Sequence, residues 1–427
     1  MEPVNYLIYE DIEWQRAEVL GISCVEGAYD VYIAKRTSQK VYIRKLTFDF
    51  HSESVALLPE YYVLPELKLI QGFHRDGEFY LIGVVNGSSK IQVYRFHEKG
   101  YQMIPFDLSG HSFNPETSIS SSQTLDYNLE KIGRNWLPYK AALIYEGQVA
   151  DPHLAKAKSK VYVANHEVSL VLNYLKGMTI VVTLDLESQV YEYRKYVMPP
   201  VSSGISKGNA FVYNGFLYQL ITSNKQLWLT VTEMATNQIV TRLTASGKKQ
   251  IPFKNQRVRE KAEPIINGLG LKPYKEKKAD VFIKMVRKMK LFISAYPRQD
   301  GTIGIAVGGI KTRKKRKDNR VAVPVTNPVS LASAGSVEFY GALGVGVGNV
   351  IDVTYDDFLY FNTVLDQEWK HDKAAVPQPA FQQFYQYFQK YDQLDLTTSM
   401  YFQANQKYYY GVYDLREKVY TVFEAKE

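Results

Sequence analysis

Apolar and polar residues alternate along residues 209–243, and the hydrophobic positions recur at every second residue. Four runs of this kind occupy Phe211–Tyr213, Phe216–Thr222, Leu227–Glu233 and Gln238–Leu243. β-Branched and aromatic residues that alternate with polar ones are typical of half-buried strands. Asn214-Gly215 separates the first two runs, and Asn-Gly readily adopts the two positive-φ positions of a type I′ turn. The segment therefore predicts a four-stranded antiparallel meander.

The same pattern occurs 49 residues earlier in the chain. Residues 161–190 align with residues 210–239 without a gap, so that Asn165 matches Asn214. A repeat of about 50 residues made of four strands is the sequence signature of a β-propeller blade. We predict an all-β fold: a β-propeller of about seven four-stranded blades, with six or eight as alternatives, in a single domain over residues 1–427.

Other segments fit the same spacing of strands and turns. Hairpins are predicted within Ala28–Pro59 and Glu78–Ile104, and Met400–Phe423 predicts two or three closing strands. A further blade is expected around Asp126–Val149, where apolar residues suggest a strand pair. Residues 291–307 predict another hairpin, which turns at Pro297–Gly301.

Two later segments interrupt the blade pattern with helical spacing. Phe282, Ile283 and Val286 recur as on one face of a helix, within a basic helical insertion predicted over residues 244–290. Residues 377–392 predict an amphipathic helix with one aromatic stripe. We predict that this stripe packs on the propeller as a lid; if it is exposed, it is an association interface instead, because monomers rarely expose large apolar patches. The candidate interface or lid residues are Phe381, Phe384 and Phe388.

Positive charge is concentrated in one part of the sequence. Residues 242–320 hold 23 Lys and Arg against 6 Asp and Glu, a net charge of +17, whereas the whole chain carries +8 and the remainder therefore −9. Residues 311–335 predict a basic, small-residue loop. Such a block can attract an anionic partner, or it can be solvated surface. The candidate patch for an anionic partner consists of Arg313, Lys314, Lys315, Arg316 and Lys317.

Candidate catalytic and ligand-binding motifs are few. The seven histidines form no HxxxH or HxH pair, and the single cysteine, Cys24, excludes a two-cysteine metal site. We therefore predict no metal, no cofactor and no catalytic residue. Nucleic acid is disfavoured as a partner because no aromatic residue interrupts the basic run. Residues 134–139, RNWLPY, are similar to a strand of five-bladed glycosidase propellers, which keeps a carbohydrate-active or glycan-binding propeller with an axial site as the alternative.

No window of the sequence has the roughly 20 apolar residues of a membrane-spanning helix. The N-terminus is acidic and has only a short apolar run, unlike a signal peptide. We expect a periplasmic or cell-surface location if a leader has been trimmed, and a cytoplasmic one otherwise.

The segments NAFVYNGFLYQLITSNKQLWLTV, FIKMVRKMK and GSVEFYGALGVGVGN together suggest a family. From about Asn165 onward, the chain resembles an uncharacterised family of bacterial envelope-associated β-propeller proteins. The resemblance implies a propeller in an envelope assembly and supplies no site residue. Loops on a rigid frame commonly carry binding surfaces. We therefore expect a non-enzymatic protein-binding scaffold, an accessory subunit of such an assembly, with another protein as its partner.

Overall fold

Strands make up most of the chain that the computed structural model describes. The described residues are 18–25, 28–36, 40–49, 52, 54–57, 62–65, 67–97, 100–113, 125, 141–146, 152–173, 177–197, 207–255, 259–261, 278–298, 300–318, 350–373, 399–404, 407–414 and 419–425. Their strands form six sheets of three to five strands, which we name sheet A to sheet F in chain order. The all-β class is confirmed at the level of these separate sheets.

Sheets A and B come first in the chain. Sheet A contains β1 (Glu18–Val25), β2 (Ala28–Arg36), β3 (Lys40–Asp49), β4 (Ser54–Leu57) and β5 (Tyr62–Pro65). Both β4 and β5 pair with β3. Sheet B is a meander of β6 (Leu67–Arg75), β7 (Glu78–Val85), β8 (Lys90–His97) and β9 (Gly100–Asp107). The two predicted N-terminal hairpins are confirmed as β2–β3 and β7–β8.

Sheets C and D correspond to the two aligned repeats. Sheet C contains β10 (Ala142–Tyr145), β11 (Ser159–Ala164), β12 (Glu167–Leu172), β13 (Met178–Asp185) and β14 (Tyr191–Val197). Sheet D contains β15 (Lys207–Tyr213), β16 (Phe216–Thr222), β17 (Gln226–Glu233) and β18 (Gln238–Ser246). The predicted meander is confirmed as sheet D. Of the blade expected around residues 126–149, the structure describes only residues 141–146, and β10 within them joins sheet C parallel to β11.

Sheets E and F follow. The strand order of sheet E is β19 (Arg259–Lys261), β22 (Val350–Leu365), β21 (Ile303–Asp318) and β20 (Lys290–Pro297). Sheet F contains β23 (Ser399–Ala404), β24 (Lys407–Asp414) and β25 (Val419–Ala425). The predicted hairpin β20–β21 and the closing strands of sheet F are confirmed. The described helices are α1 (Pro152–Ala155) and α2 (Ala279–Val286).

The turns of the two repeats are equivalent, as the alignment predicts. Asn214 and Gly215 have φ values of 49° and 75° and form a two-residue turn that pairs Tyr213 with Phe216. Asn165 lies in the two-residue connection between β11 and β12. Both residues therefore end matching strands in neighbouring sheets, which confirms the repeat.

Neighbouring sheets pack on one another in chain order. One buried cluster joins sheets A and B, a second joins B and C, and a third joins C, D and E. These clusters include, in that order, Ile43 with Phe79, Ile82 with Leu170, and Leu220 with Ile293. Burial of apolar side chains between successive sheets is the main stabilising contribution expected for such a stack.

Helix α2 corrects the bounds of the predicted basic insertion. Phe282, Ile283 and Val286 are buried against the core shared by sheets C, D and E, as their spacing predicts. The helix has only eight residues, however, and residues 244–290 also include the end of β18 and the whole of β19. The segment is therefore not a helical insertion throughout, since its backbone also pairs with sheet strands.

A buried polar node joins the cores of sheets C, D and E. Lys160 is fully buried, and its Nζ donates to Asn209 Oδ1 at 2.7 Å, to the Ala210 carbonyl at 2.8 Å and to the Ala157 carbonyl. Asn209 Nδ2 donates to the carbonyls of Ala155 at 3.1 Å and Leu291 at 2.6 Å. Burial lowers the pKa of Lys160 to about 7. We call this set the Lys160–Asn209 node.

The basic run lies on a strand, so its prediction as a loop over residues 311–335 is wrong for residues 311–318. These residues continue β21 and pair with residues 350–357 of β22. In the described residues, β19 and β20 end before this part, so the eight pairs form a two-stranded arm of roughly 25 Å. Residues 311–318 contain no Gly or Pro that would end the strand. Their backbone pairs with β22, and their polar sequence alone does not indicate this pairing.

Several predicted segments lie outside the described residues. They are the aromatic helix over residues 377–392, the rest of the predicted loop over residues 319–335, and RNWLPY at residues 134–139. Among the residues that the structure describes, no helix has the length and apolar character needed to cross a membrane.

Candidate functional site

A cleft opens between sheets C and D at the end of the sheets that carries the Asn165 and Asn214 turns. Its volume is about 610 Å³, which lies in the range of small-molecule binding pockets. Sheet C forms one wall and sheet D the other, and we call this feature the C–D cleft.

The sheet C wall is rich in hydrogen-bonding groups. Ser169 and Thr183 are directly opposite each other on β12 and β13, and their hydroxyl oxygens lie 2.9 Å apart. A hydroxyl group has one donor and two acceptor positions, so this pair can make further hydrogen bonds to a ligand. The polar wall can therefore orient a bound molecule.

The sheet D wall is mainly apolar and aromatic. Phe211, Val212 and Tyr213 of β15 line it, together with Met234 from the β17–β18 turn. The walls meet at Tyr162 of β11, whose ring approaches Phe211 edge-on with 5.7 Å between ring centroids. An apolar wall of this kind provides contact area for a ligand, and hydrogen bonds from the facing polar wall orient that ligand.

Tyr162 fixes the floor of the C–D cleft. Its side chain is only 9% exposed, and its hydroxyl oxygen accepts a hydrogen bond from the Val212 amide at 3.0 Å. Burial raises the pKa of Tyr162, so the phenol keeps its hydrogen. This bond joins sheet C to sheet D and holds the two walls at a fixed separation.

Arg194 closes the outer side of the cleft. Its guanidinium donates to the carbonyls of Met234 and Ala235, the latter at 2.9 Å, and to Glu192 at 2.6 Å. The positive charge of Arg194 is therefore already paired with Glu192, and the side chain acts as a strut between β14 and the β17–β18 turn.

Three carboxylates stand at the mouth of the cleft, which we call the mouth carboxylates: Glu146, Glu167 and Asp185. Glu167 and Asp185 are directly opposite each other on β12 and β13. Hydrogen bonds from Ser188 and from the Glu187 amide hold the pKa of Asp185 below its usual range, so this carboxyl stays ionised at neutral pH. The mouth is therefore an acidic surface above an apolar floor.

The geometry supports binding chemistry. A polar wall, an aromatic wall and an acidic mouth can hold a molecule that has both apolar and cationic or hydroxyl groups. Among the described residues, no group of three or more His, Cys, Asp or Glu side chains is arranged to hold a metal ion.

The site residues predicted from sequence lie elsewhere. Arg313 to Lys317 are consecutive on the arm of β21, opposite residues 351–355 of β22. The arm contains six Lys or Arg on β21, but it also contains Asp318 and three Asp on β22, which leaves a net charge of +2. Phe381, Phe384 and Phe388 lie outside the described residues. None of these residues lines the C–D cleft.

The cleft was not predicted, because its walls come from separate strands of two repeats. One signal was available in the sequence. The Asn165 turn fixes the register of β11 and β12, and the next turn then sets two acidic residues, Glu167 and Asp185, side by side. Asp185 also accepts hydrogen bonds from the Glu187 and Ser188 amides, so this carboxylate shapes the β13–β14 turn as well as the mouth of the cleft.

Comparison with family models and with curated proteins finds no match. Among solved structures, the chain is similar to the crystal structure of a protein from Lactobacillus plantarum, with 8% identity and a TM-score of 0.25, over 67% of this chain and 76% of that chain. It is also similar to Kluyveromyces lactis Hsv2, with 9% identity and a TM-score of 0.24, over 68% of this chain and 89% of that chain. At these TM-scores, neither similarity supports an argument about fold or function.

Proposed function

We propose that the chain is a non-enzymatic protein-binding scaffold that holds a segment of its partner in the C–D cleft. The proposed frame is a β-propeller of about seven blades. The 49-residue repeat and the packing of successive sheets in chain order support this architecture. The resemblance to envelope-associated propellers supports the proposed setting, an accessory subunit of a bacterial envelope assembly.

The observation that carries the proposal is the unlike character of the two cleft walls. A protein segment presents backbone hydrogen-bonding groups and apolar side chains together, and the polar wall of sheet C faces the apolar wall of sheet D across a short gap. Tyr162 and Arg194 hold those walls in place without a ligand. A preorganised site of this kind spends little free energy on ordering when it binds.

A blocking variant tests this proposal. Ala164 lines the cleft at the end of β11, so Ala164→Trp is expected to fill it. Thr244 is exposed on β18 and does not line the cleft, so Thr244→Trp is the matched control. Affinity capture from cells of the source organism, followed by mass spectrometry, should recover a protein with the parent and the control that the Ala164→Trp variant loses. Equal recovery by all three would contradict the cleft as the site.

A glycan array with the same three proteins addresses the alternative function. Aromatic rings and carboxylates also occur in sugar-binding sites, and both are present here. If the parent retains a glycan that the Ala164→Trp variant loses, and no protein shows that pattern, the protein-binding function is wrong.

The basic residues of β21 are a second proposed contact, for an anionic surface. The net charge of +17 over residues 242–320 supports it. Coulombic attraction of this type is screened within roughly 8 Å at physiological salt. Binding to phosphatidylserine vesicles at low salt should therefore fall when Arg313, Lys314 and Lys315 are changed to Ser. Undiminished vesicle binding would show that these residues are solvated surface.

A further inference from the structure

The outward face of helix α2 is basic. Lys278, Lys284 and Lys288 are exposed along it, and the exposed side chain of Val281 lies three residues from both Lys278 and Lys284. The opposite face of the helix, which includes Phe282, is buried against the core shared by sheets C, D and E. The helix therefore lies on the surface of the protein with its lysines in solvent.

Neighbouring segments extend this face at both ends of the helix. At the N-terminal end, the carbonyl of Lys249 accepts a hydrogen bond from the first amide of α2 at 2.9 Å, so the exposed Lys248 and Lys249 lie beside the helix. At the C-terminal end, Lys207 Nζ donates to the carbonyl of Arg287. We call the whole set the α2 basic face, and it consists of Lys158, Lys207, Lys248, Lys249, Lys278, Lys284, Arg287, Lys288 and Lys290.

The charge of the α2 basic face is not offset by ion pairs. The one acidic residue in the segments that form it is Asp280, whose Oδ1 accepts a hydrogen bond from the Val281 amide at 2.8 Å. Within the described part of the chain, none of the nine basic residues makes an ion pair. By contrast, Lys90, Arg95 and Lys370 are each paired with an acidic residue.

The positive charges of the face act on one another. Burial lowers the pKa of Lys207, and the charges of Lys158 and Arg287 lower it further. These three side chains are therefore close enough to repel one another. Negative charge brought to this side of the protein would offset that repulsion.

The composition of the face favours a lipid bilayer among anionic partners. Eight of the nine residues are Lys, which is depleted in protein–protein interfaces, where Arg and aromatic residues are enriched. Nucleic acids are bound by Arg forks and by aromatic rings on which bases stack, whereas the aromatic residue of α2, Phe282, is buried. An anionic bilayer attracts lysines through charge alone, without a fixed geometry.

We propose that the α2 basic face docks the protein on the surface of an anionic lipid bilayer. The lysine ammonium groups contact the anionic groups of the lipids, and Val281, which is 43% exposed, enters the headgroup layer. This contact goes beyond the C–D cleft and does not depend on it. The partner is of the kind proposed above for β21, but the residues differ: Lys290 pairs with Ile310, so the α2 basic face ends where the arm of β21 begins.

Vesicle binding by a triple variant tests this contact. Lys278, Lys284 and Lys288 are changed together to Gln, which has nearly the helix propensity of Lys. Co-sedimentation of the full chain at low salt is measured with vesicles of phosphatidylserine and phosphatidylcholine, and with phosphatidylcholine alone. Each lysine near an anionic surface contributes about fivefold to binding, so the variant should bind the anionic vesicles about 100-fold more weakly than the parent.

A control variant removes the same amount of charge elsewhere. Its three changes to Gln are at exposed lysines outside the α2 basic face: Lys90, Lys225 and Lys370. The control should bind the anionic vesicles like the parent, and both variants should keep the parent's melting temperature. Equal binding by the triple α2 variant and the control, or equal binding of the parent to both kinds of vesicle, would overturn the inference.

A label at Val281 distinguishes a bilayer from other anions. Val281→Cys and, as its control, Val190→Cys are made with Cys24→Ser, because Cys24 is the single cysteine of the chain, and each is labelled with an environment-sensitive dye. Val190 is 60% exposed and lines the C–D cleft. Anionic vesicles should shift the emission to the blue at position 281 and not at position 190. If position 281 gives no shift, or if poly-glutamate or oligothymidylate binds the parent more tightly than the vesicles do, the bilayer assignment is wrong.

The outcomes separate this inference from the functions proposed above. If vesicle binding falls when Arg313, Lys314 and Lys315 are changed to Ser but not in the triple α2 variant, the β21 contact stands and this inference fails. If only the triple α2 variant loses binding, the inference stands and the β21 contact fails. Failure of the scaffold function shows as equal protein capture by Ala164→Trp, a variant in which vesicle binding should be retained.

Discussion

Replacing Asn209 with Leu removes the centre of the Lys160–Asn209 node without a large change in side-chain volume. Asn209 is 1% exposed and makes four hydrogen bonds: it accepts from Lys160 Nζ and from the Ala210 amide, and it donates to the carbonyls of Ala155 and Leu291. Leucine can make none of them. The variant therefore leaves a buried ammonium one acceptor short and two carbonyls without this donor.

The expected loss of stability follows from these bonds. The bond to the charged ammonium is worth about 1.5–3 kcal/mol, and each neutral bond about 1 kcal/mol. Since the two donated bonds and the ammonium bond are lost together, we expect the free energy of unfolding to fall by about 4 kcal/mol. That is a large part of the roughly 5–15 kcal/mol by which a domain is stable.

Urea unfolding followed by circular dichroism, below pH 7 where Lys160 is protonated, measures the effect. Asn224→Leu is the matched control, because Asn224 is exposed in the β16–β17 turn, where a substitution should change stability by less than about 0.5 kcal/mol. The double variant with Lys160→Met should be less unstable than the sum of the single variants by about 1.5–3 kcal/mol. If Asn209→Leu matches the control, or if the single effects simply add, the node does not hold the sheets together.

Three further predictions concern single groups. Burial lowers the pKa of Lys160 from 10.5 to about 7, so between these pH values the unfolded chain binds more protons than the folded one, and the free energy of unfolding should rise with pH. Lys160→Met should lose that rise in urea titrations at several pH values. If the variant and the parent show the same pH dependence of stability, the prediction is wrong. Gly215→Ala should lower the free energy of unfolding, measured by thermal unfolding, by about 1 kcal/mol or more, because Gly215 has a φ of 75°. Gly110→Ala is the control and should be nearly neutral, because the space around Gly110 is open and its φ is not positive. Glu167→Gln should stabilise the free protein by about 0.5 kcal/mol in the same assay, and a loss of stability would show that Glu167 has a favourable structural contact.

The sequence was informative where alternation and turn chemistry agreed. Sheet D follows directly from its alternating runs and from Asn214-Gly215, and the 49-residue offset transfers the same plan to sheet C. The arm of β21 was predicted as a loop because residues 311–318 have no apolar alternation, and only the paired strand β22 shows that they are extended. When a strand is held only by backbone hydrogen bonds to its partner strand, its own sequence need not alternate between apolar and polar residues, so the sequence does not predict it.

The site was less predictable than the fold. The C–D cleft depends on how far two sheets diverge, and that distance is set by Tyr162 and Arg194 contacting residues about 40 to 50 positions away. The node had a weak signal: Lys160 and Asn209 are polar residues in otherwise apolar strands, and they are separated by the repeat length of 49 residues. Equivalent positions in neighbouring repeats can thus become direct partners.

The node also imposes an order on folding during synthesis. Sheets C and D are built from consecutive strands, so each can form soon after its own residues leave the ribosome. Asn209, however, needs the carbonyl of Leu291, which is made 82 residues later. Until sheet E arrives, the interface that will bury Lys160 lacks one of its bonds and stays open on one side. The nascent chain therefore keeps a hydrated ammonium at this junction, and arrival of β20 closes it.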